Sequence, residues 1–247
     1  MNDTELRARL DADGFLVLRN VFTPADVAEV GNRLDSLFAG FNQLPASRAQ
    51  DIATVGDGSA KVLQSAEINR VLRVDRALAS SRIYRECRRI ARALRGPLAA
   101  YSFDHAIAKQ PKADAVTPWH QDQVYTGHRT PLRTVHFWVP LQDVDEENGC
   151  MHFIPGSHLA GLSHHEPLKN ASGGITYAAS ADLAGAVAVP LAAGGLTIHT
   201  PLTMHFTGPN RTSGVRKAWI LHFGPLGWFA KLRPAMLLEK YGLRTPH

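Results

Sequence analysis

From residue 98 onward the sequence alternates short β-type runs with turn signals, and this alternation limits the possible fold more than any other feature. The runs rich in strand-forming residues occupy 99–108, 133–142, 151–155, 187–190, 195–199 and 217–224. Turn residues separate them, as at Glu147-Asn148-Gly149 and Pro155-Gly156-Ser157. Several short strands at such spacing predict an antiparallel sandwich or barrel.

The chain before residue 98 has a mainly helical pattern. A short N-terminal helix is expected first, and Thr23 followed by Pro24 then predicts a helix N-cap with proline in the first turn. That helix should run to about Phe38, a loop should cover 40–60, and a second helical region should extend from about Ile68 to Leu94. Helices first and strands afterwards favour an α+β, mainly β class over a parallel α/β fold.

The 247 residues fit a single domain with a helical part (1–97), a strand-rich core (98–224) and a tail (225–247) that could form a short basic helix over 229–247. Hydrophobic residues make up 45% of the chain and charged residues 20%, which is ordinary for a globular protein. No apolar run reaches the roughly 18 residues that a membrane helix needs. The polar start of the chain does not resemble a secretory signal, so we expect a cytoplasmic location and no membrane partner.

The two cysteines, Cys87 and Cys150, indicate neither a disulfide framework nor a zinc cluster. The net charge is +5, and arginines concentrate in one helical segment over 82–95. We interpret this segment as a solvated helix face, with a docking surface or an acidic-ligand site as the alternative. Zinc-finger and RNA-recognition signatures are absent from the sequence, so no nucleic-acid partner is expected.

A candidate metal site begins with His120-Gln121-Asp122. In an extended strand, residues i and i+2 point to the same face, so the imidazole and the carboxylate can meet one ion. His205 lies 85 residues later in a second β-rich stretch. Two histidines and one carboxylate leave coordination positions open, which suits Fe(II) with a chelating co-substrate and O2. The alternative is that His205 is a core histidine and Asp122 a turn residue.

Arg216 strengthens the interpretation of this site. It follows His205 by 11 residues across a Gly/Pro/Asn-rich turn, so a hairpin would bring it back beside the His205 strand. A guanidinium can bind a carboxylate through two hydrogen bonds. Thr207 shares the face of His205 and could donate its hydroxyl to the same carboxylate. The alternative is that Arg216 is a surface cation and that Thr207 is an ordinary strand residue.

At this point the chain resembles the phytanoyl-CoA dioxygenase family of iron(II)/2-oxoglutarate oxygenases. The segments that carry the resemblance occur in family order, at Gly14–Arg19, Thr117–Asp122, Phe137–Asp143, Glu147–His158, Met204–Arg211 and Arg216. The resemblance implies a double-stranded β-helix (a cupin-like jelly roll) flanked by N-terminal helices. It also implies Fe(II), 2-oxoglutarate as co-substrate and O2, with His120, Asp122 and His205 as the iron ligands.

The resemblance further implies how the co-substrate is bound. Arg216 matches the family's arginine for the 2-oxoglutarate C5 carboxylate, and Thr207 matches a nearby Ser or Thr hydroxyl. Trp138 matches an aromatic residue that often lines this site, and His136 shares its strand face and could line the cavity. Simple core packing is the alternative for both. Lys109 is a further candidate for holding 2-oxoglutarate, with a solvated lysine as the alternative.

The sequence departs from the family pattern at Gly194-Gly195, where Gly-Asp is common. Relatives that replace the metal carboxylate by a small residue open a halide site, and since Asp122 is present we do not expect halogenation. His199 is expected to lie outside the metal site because Thr200-Pro201 should break its strand. The stretch 156–181, with His164-His165-Glu166, is expected to be a solvated or mobile loop, or else a lid that touches the substrate.

The expected reaction is hydroxylation of an unactivated C–H bond in a small molecule of natural-product, amino-acid or acyl type, with release of succinate and CO2. Desaturation, epoxidation, ring closure and epimerisation stay open, since the same ligands serve all of these outcomes. A non-catalytic jelly-roll protein with a structural metal is a more distant alternative. A zinc hydrolase would need a general base, and the sequence contains no His-Glu-x-x-His pattern. Substrate identity and oligomeric state are open at this level.

Overall fold

Antiparallel strands dominate the computed structural model, which describes residues 2–53, 63–126, 133–180 and 182–225. The strands are β1 Phe15–Leu18, β2 Ala49–Asp51, β3 Ser65–Asn69, β4 Ala99–Lys109, β5 Thr117–His120, β6 Val135–Pro140, β7 Met151–Phe153, β8 His165–Lys169, β9 Ile175–Ala179, β10 Val187–Val189, β11 Leu196–His199, β12 His205–Thr207 and β13 Arg216–Pro225. The α-helices are α1 Asp3–Asp13, α2 Pro24–Ala39, α3 Val71–Val74, α4 Arg82–Arg95 and α5 Gln123–Thr126. Short 3-10 helices cover Phe41–Gln43, Arg76–Ser80 and Ser157–Ala160.

The strands form two main sheets and one hairpin. The major sheet has the order β1-β11-β6-β13-β4-β3-β2, and the minor sheet has the order β10-β7-β12-β5. Strands β8 and β9 pair with each other as a separate hairpin. Two antiparallel sheets with these crossovers agree with the predicted jelly-roll core, so the fold class is confirmed.

Capping residues fix where the N-terminal helices begin. The Thr23 hydroxyl accepts a hydrogen bond from the Asp26 amide at 3.2 Å, the Asp26 carboxylate accepts one from the Thr23 amide at 2.9 Å, and Pro24 occupies the first turn. This arrangement satisfies amides that a helix start leaves unpaired. The predicted start of α2 is therefore confirmed, and α2 ends at Ala39, one residue beyond the expected end.

Successive residues along a strand of the major sheet point to opposite faces, one packed against the helices and one against the minor sheet. On β13, Trp219, Leu221 and Phe223 join the core that packs against α1, α2 and α4. Ala218 and Ile220 belong to a second core between the sheets. The face of β13 that points between the sheets also carries the residues of the candidate site, so the helices support the major sheet from the side opposite the chemistry.

The N-terminal part contributes more strand than the sequence indicated. The predicted loop over 40–60 contains β2, and Ile68, expected to begin a helix, lies in β3. Helix begins only at Val71, after Arg70 adopts a left-handed conformation with φ 56°. These expectations were wrong because pairing with β4 at the edge of the major sheet outweighs the weak local preference of these segments.

The stretch 156–181 was expected to be a loop, but it contains the β8–β9 hairpin. The predicted basic helix at 229–247 lies outside the described residues. Within the described ranges, no helix combines the length and the apolar character needed to span a membrane.

Candidate metal centre

The three predicted metal ligands come together between the two sheets. His120 and His205 face each other as register partners on β5 and β12. One Asp122 carboxylate oxygen, Oδ1, lies 3.3 Å from His120 Nε2 and 3.6 Å from His205 Nε2. The ligand atoms of all three residues lie within 4.8 Å of one another. Adjacent ligands of one ion, each bonded at about 2 Å, are separated by roughly 3 Å, so the spacing fits a shared ion.

Backbone carbonyls orient both imidazole rings. His120 Nδ1 lies 2.8 Å from the Pro118 carbonyl oxygen, and His205 Nδ1 lies 2.9 Å from that of Thr203. Because a carbonyl can only accept, each Nδ1 carries a proton, which leaves Nε2 as the ring nitrogen that is directed toward Asp122 and available to an ion. The same strand-end carbonyl contact at both histidines sets the tautomer that metal binding requires.

The ionisation states in the site also suit a metal. Burial and the nearby charge of His120 hold the pKa of His205 well below its usual value, so this ring is neutral. Burial alone would raise the pKa of Asp122, but the neighbouring His205 and His136 outweigh it and hold that pKa well below the usual range. A neutral imidazole and an ionised carboxylate bind a cation without having to lose a proton.

The second oxygen of Asp122 is held by the major sheet. His136 Nδ1 lies 2.5 Å and His199 Nε2 lies 3.1 Å from Asp122 Oδ2. These three groups also converge closely enough to be considered as a metal site. However, the 2.5 Å separation is that of a strong hydrogen bond and leaves no room for an ion between the two atoms. We therefore interpret His136 and His199 as residues that orient the carboxylate.

His199 was missed as a site residue, and His136 was expected only to line the cavity. A turn does follow His199, as predicted, so it is not on the strand of His205. Its register partner across β11 and β6 is His136, which brings both rings to the same carboxylate. The period-2 pattern of β6 signalled the position of His136, whereas the position of His199 depends on strand pairing.

Arg216 is a buried cation without an anionic partner among the described residues. It is 2% exposed, its guanidinium lies 5.6 Å from the centre of the Trp138 ring, and its Nε has no hydrogen-bond partner. Burial lowers its pKa to about 10. A buried charge is costly unless an opposite charge accompanies it. The arrangement is therefore suited to binding a carboxylate that the protein does not itself supply.

Lys109 lies directly beside Arg216, but its ammonium group bonds to Thr207 and Gly208. Lys109 is the register partner of Arg216, and its Nζ donates to the Thr207 carbonyl at 3.1 Å, the Thr207 hydroxyl at 2.9 Å and the Gly208 carbonyl at 2.6 Å. Three acceptors account for the three protons of an ammonium group. The prediction that Lys109 binds 2-oxoglutarate directly has no support in these contacts, which instead fasten the strand that carries His205.

Gln121 connects the metal centre to the segment before the β8–β9 hairpin. Its backbone amide donates to His165 Nε2 at 3.1 Å, and its side-chain amide donates to the Gly161 carbonyl at 2.7 Å. Its side-chain oxygen accepts from the Ser163 amide at 2.7 Å. His165 therefore fixes the backbone beside Asp122, so its ring nitrogens are engaged rather than available to an ion. His164, by contrast, is 84% exposed.

Comparisons with known proteins were made on sequence and on structure. The sequence model of the family described as Phytanoyl-CoA dioxygenase (PhyH) matches residues 10–218. The peroxisomal phytanoyl-CoA dioxygenase of Rattus norvegicus is 27% identical over 235 residues, covering 89% of this chain and 68% of the relative. That of Bos taurus is 25% identical over 232 residues, covering 89% and 67%.

Solved structures extend the comparison. EvdO2 from Micromonospora carbonacea var. aurantiaca, crystallised with 2-oxoglutarate, has a TM-score of 0.75 and 28% identity, covering 92% of each chain. SnoN, an epimerase in complex with Fe3+, α-ketoglutarate and nogalamycin RO, has a TM-score of 0.68 and 23% identity, covering 94% of this chain and 90% of its own. SnoK, an α-ketoglutarate-dependent carbocyclase, has a TM-score of 0.68 and 21% identity, covering 100% and 94%. At their identities, SnoN and SnoK show the fold alone.

Proposed function

The chain belongs to the phytanoyl-CoA dioxygenase family of Fe(II)- and 2-oxoglutarate-dependent oxygenases, and on that premise we propose that it hydroxylates an unactivated C–H bond of a small molecule. In this proposal His120, Asp122 and His205 hold the iron, and Arg216 binds the far carboxylate of 2-oxoglutarate. The cofactors are Fe(II), 2-oxoglutarate and O2. The cytoplasmic location stays a prediction from the sequence.

The donor set supports the metal assignment. Two imidazole nitrogens lie 3.3 Å and 3.6 Å from one carboxylate oxygen, and such a set leaves other coordination positions open. The orienting contacts come from two directions, with backbone carbonyls behind the imidazoles and His136 with His199 behind the carboxylate. Partners of this kind hold the ligands in place before the ion arrives.

The single observation that carries the co-substrate assignment is the buried guanidinium of Arg216, which has no anionic partner among the described residues. A dicarboxylic keto acid offers one end to the metal and a carboxylate to a cation farther along the cavity. Arg216 is held against Trp138 on the inner face of the major sheet, so its charge is fixed in position before binding. Thr207 lies close by, but its hydroxyl oxygen accepts from Lys109, which leaves its own proton free to donate.

Bound Fe(II), 2-oxoglutarate and O2 supply an oxidant able to cleave a C–H bond, with succinate and CO2 as by-products. The protein's part is to orient these groups and to exclude water. His120 and His205 are each 5% exposed and Arg216 is 2% exposed, while the Asp122 side chain is 21% exposed, so all of these groups except the carboxylate are almost fully removed from solvent. Such an enclosed site protects a reactive centre from side reactions.

Hydroxylation is the simplest outcome for this arrangement, because it needs only a substrate C–H bond held close to the metal. The structural relatives named as an epimerase and a carbocyclase illustrate that the fold accommodates other outcomes. What differs among such outcomes is the placement of the substrate. Epimerisation, ring closure, desaturation and epoxidation are therefore alternatives within the same class.

The metal assignment is tested with Asp122→Ala in the full-length protein. We expect loss of tight Fe(II) binding and of succinate release from 2-oxoglutarate, because removal of the carboxylate takes away the one anionic ligand. Asp114→Ala, the same change at an exposed position, is the matched control and should behave like the wild type. Iron content after desalting and succinate formation are the two measurements. Normal turnover by Asp122→Ala would refute the ligand assignment.

The hydroxylation outcome is tested separately, by a succinate-release screen over candidate small molecules followed by product mass. A product 16 mass units heavier than the substrate supports hydroxylation, whereas loss of two hydrogens or an unchanged mass supports desaturation or epimerisation. A protein that binds iron but releases no succinate, with or without added compounds, would favour the non-catalytic alternative.

A further inference from the structure

A second cluster of ionisable side chains crosses the major sheet on the face that carries the metal centre. Beyond Asp122, the ring of His136 stacks on that of His222 with centroids 3.6 Å apart, and His222 meets His105 edge-on at 5.5 Å. His105 Nδ1 then lies 2.6 Å from the carboxylate of Glu67. The row therefore leads from the metal carboxylate to a histidine–glutamate pair that the metal and co-substrate do not use.

The Glu67 carboxylate is fixed from three sides. One oxygen accepts from Gln50 Nε2 at 2.6 Å and from Asn69 Nδ2 at 3.1 Å, and the other lies against His105 Nδ1. Burial alone would raise the pKa of Glu67, but the hydrogen bond and charge of His105 outweigh it and lower that pKa. An ionised carboxylate can only accept, so His105 must donate from Nδ1.

The remaining ring nitrogen of His105 is directed elsewhere. Within the described part of the chain Nε2 makes no hydrogen bond, and the side chain is 18% exposed. Burial lowers the pKa of His105, but the hydrogen bond and charge of Glu67 outweigh this and raise it. Nδ1 therefore carries a fixed N–H toward Glu67, Nε2 is the ring nitrogen left for a ligand, and protonation of the ring, which the contact with Glu67 favours, makes Nε2 a donor.

The position of His105 matches the expected place of a substrate. His105 is on β4, two strands from His136 on β6. Neighbouring strands are about 4.8 Å apart, so His105 lies roughly 10 Å from His136, which contacts Asp122. Arg216 and His222 lie six residues apart on β13, and it is the ring of His222 that stacks on His136, the partner of Asp122. If 2-oxoglutarate binds next to Arg216, the substrate can bind at the other end of β13, next to His222 and His105.

Aromatic and cationic groups surround the free nitrogen. The ring of Phe103 lies 5.5 Å from that of His105 and 5.3 Å from that of His222. The Arg70 guanidinium lies 5.2 Å above Phe103. Glu67 offsets the charge of His105, and the carboxylates of Asp104 and Asp122 also act on this ring, so an anion would be attracted here by the Nε2 donor and the nearby Arg70 guanidinium rather than by a net charge. A flat ring that carries an anionic oxygen would find a stacking surface and a charge-assisted hydrogen bond here.

We propose that His105, oriented by Glu67, is a substrate-binding residue that donates a hydrogen bond from Nε2 to an anionic oxygen of a ring-containing substrate. The proposal rests on the proposed oxygenase function, since it assigns the substrate side of that site. It names a class of ligand, an organic acid with a ring, and places the acid roughly one small-molecule length from the metal. The reacting C–H bond would then lie at the opposite end of the ligand.

The test uses benzoate as the probe and benzamide as its neutral counterpart of nearly equal shape. Each is titrated calorimetrically, without oxygen, into the full-length protein loaded with Fe(II) and 2-oxoglutarate, so that the metal and Arg216 are already engaged. We expect the wild type to bind benzoate at least about tenfold more tightly than benzamide, in line with a hydrogen bond between charged groups. Equal binding, or no binding of benzoate, would overturn the proposal.

His105→Gln should weaken benzoate binding roughly tenfold or more and remove the preference over benzamide. His164→Gln is the matched control, because His164 also pairs with a glutamate, at 2.8 Å, but on the exposed surface. Glu67→Gln is a second variant that keeps the imidazole and removes the group that orients it, and it should also weaken benzoate binding. A folded His105→Gln or Glu67→Gln protein with wild-type preference for benzoate would contradict the assignment.

Failure of the inference is distinguishable from failure of the proposed function. A wild-type protein that releases no succinate with Fe(II) and 2-oxoglutarate counts against the function. A wild type that releases succinate but shows no preference for benzoate counts against the role of His105 alone.

Discussion

Replacing Arg216 by methionine should stabilise the protein without its cofactors while abolishing tight binding of the co-substrate. Methionine has a similar length and no charge, so it fills the space beside Trp138 without requiring an anion. A fall in the pKa of Arg216 from 12.5 to about 10 corresponds to roughly 3 kcal/mol of destabilisation of the charged side chain in the folded state. Methionine loses the contact of the guanidinium with the Trp138 ring, which contributes about 1 kcal/mol.

The net gain is then about 2 kcal/mol. For a chain of this length each kcal/mol shifts the melting temperature by about 2–4 °C, so the Arg216→Met protein should melt about 4–8 °C above the wild type when no cofactor is added. Differential scanning calorimetry on protein treated with a chelator measures this. Arg211→Met, the same change at an exposed position of the connection between β12 and β13, should differ from the wild type by no more than about 0.5 kcal/mol.

The order should reverse when Fe(II) and 2-oxoglutarate are added without oxygen. A ligand present at a hundred times its dissociation constant stabilises the wild type by about 2.7 kcal/mol. The variant lacks two hydrogen bonds to a carboxylate, worth about 1.5–3 kcal/mol each, so its KM for 2-oxoglutarate should rise roughly a hundredfold or more. An Arg216→Met protein that melts below the wild type without cofactors, or one that responds equally to 2-oxoglutarate, would refute the reasoning.

Three further predictions concern the groups that support the site. Gly149→Ala should destabilise the protein by roughly 2–5 kcal/mol in chemical denaturation, because φ is +85° and the new Cβ would lie 2.5 Å from the Gly208 carbonyl oxygen. Gly185→Ala, with φ +81° and open space, should cost only about 1 kcal/mol, and equal losses would contradict the contact argument. His199→Asn should weaken Fe(II) binding in a competition titration roughly 10- to 100-fold, and unchanged affinity would show that Asp122 needs no such support. The stability difference between wild type and Glu67→Gln should be largest between about pH 4.5 and 6.5. The lowered pKa of Glu67 adds stability above pH 4.5, and the raised pKa of His105 adds stability that is lost as pH rises beyond 6.5. A difference that keeps growing toward pH 8 would exclude the pair.

The strand-rich core was predictable because its signals are local. The runs at 133–142 and 217–224 correspond to β6 and β13, with boundaries shifted by one or two residues. Their β-branched and aromatic residues fit a pleated, buried surface, and the turns between them are rich in Gly, Pro and Asn. By contrast, β2 and β3 consist of Ala, Gln, Asp, Ser, Glu and Asn, which carry little strand preference, together with a single Ile. Their pairing with β4 decides their conformation.

The site residues, too, were predictable where the signal is local and unpredictable where it depends on tertiary contacts. His120 and Asp122 share a strand face in the sequence, whereas the prediction that a hairpin would bring Arg216 back beside the His205 strand was wrong, because β12 lies in the minor sheet and β13 in the major sheet. Lys109 could not be assigned in this way, because alternation places it on the inner face without telling what its ammonium group meets. Its three acceptors, at Thr207 and the next residue, come from a strand almost 100 positions later. The register of β4 against β13 is tertiary information.

The Asp122 carboxylate shows why the orienting histidines escape a sequence pattern while the metal ligands do not. Its Oδ1 faces His120 and His205 on the minor sheet, and its Oδ2 faces His136 and His199 on the major sheet. A metal ligand set needs residues of given type, and the short motif His120-Gln121-Asp122 supplies two of the three in one place. His136 and His199, which orient the carboxylate, must be register partners on two strands of the major sheet. They reach Asp122 only when the two sheets are packed together. A shift of either sheet by one residue would turn the side chains of that strand to the other face, so the geometry at Oδ2 depends on the whole sandwich being assembled correctly.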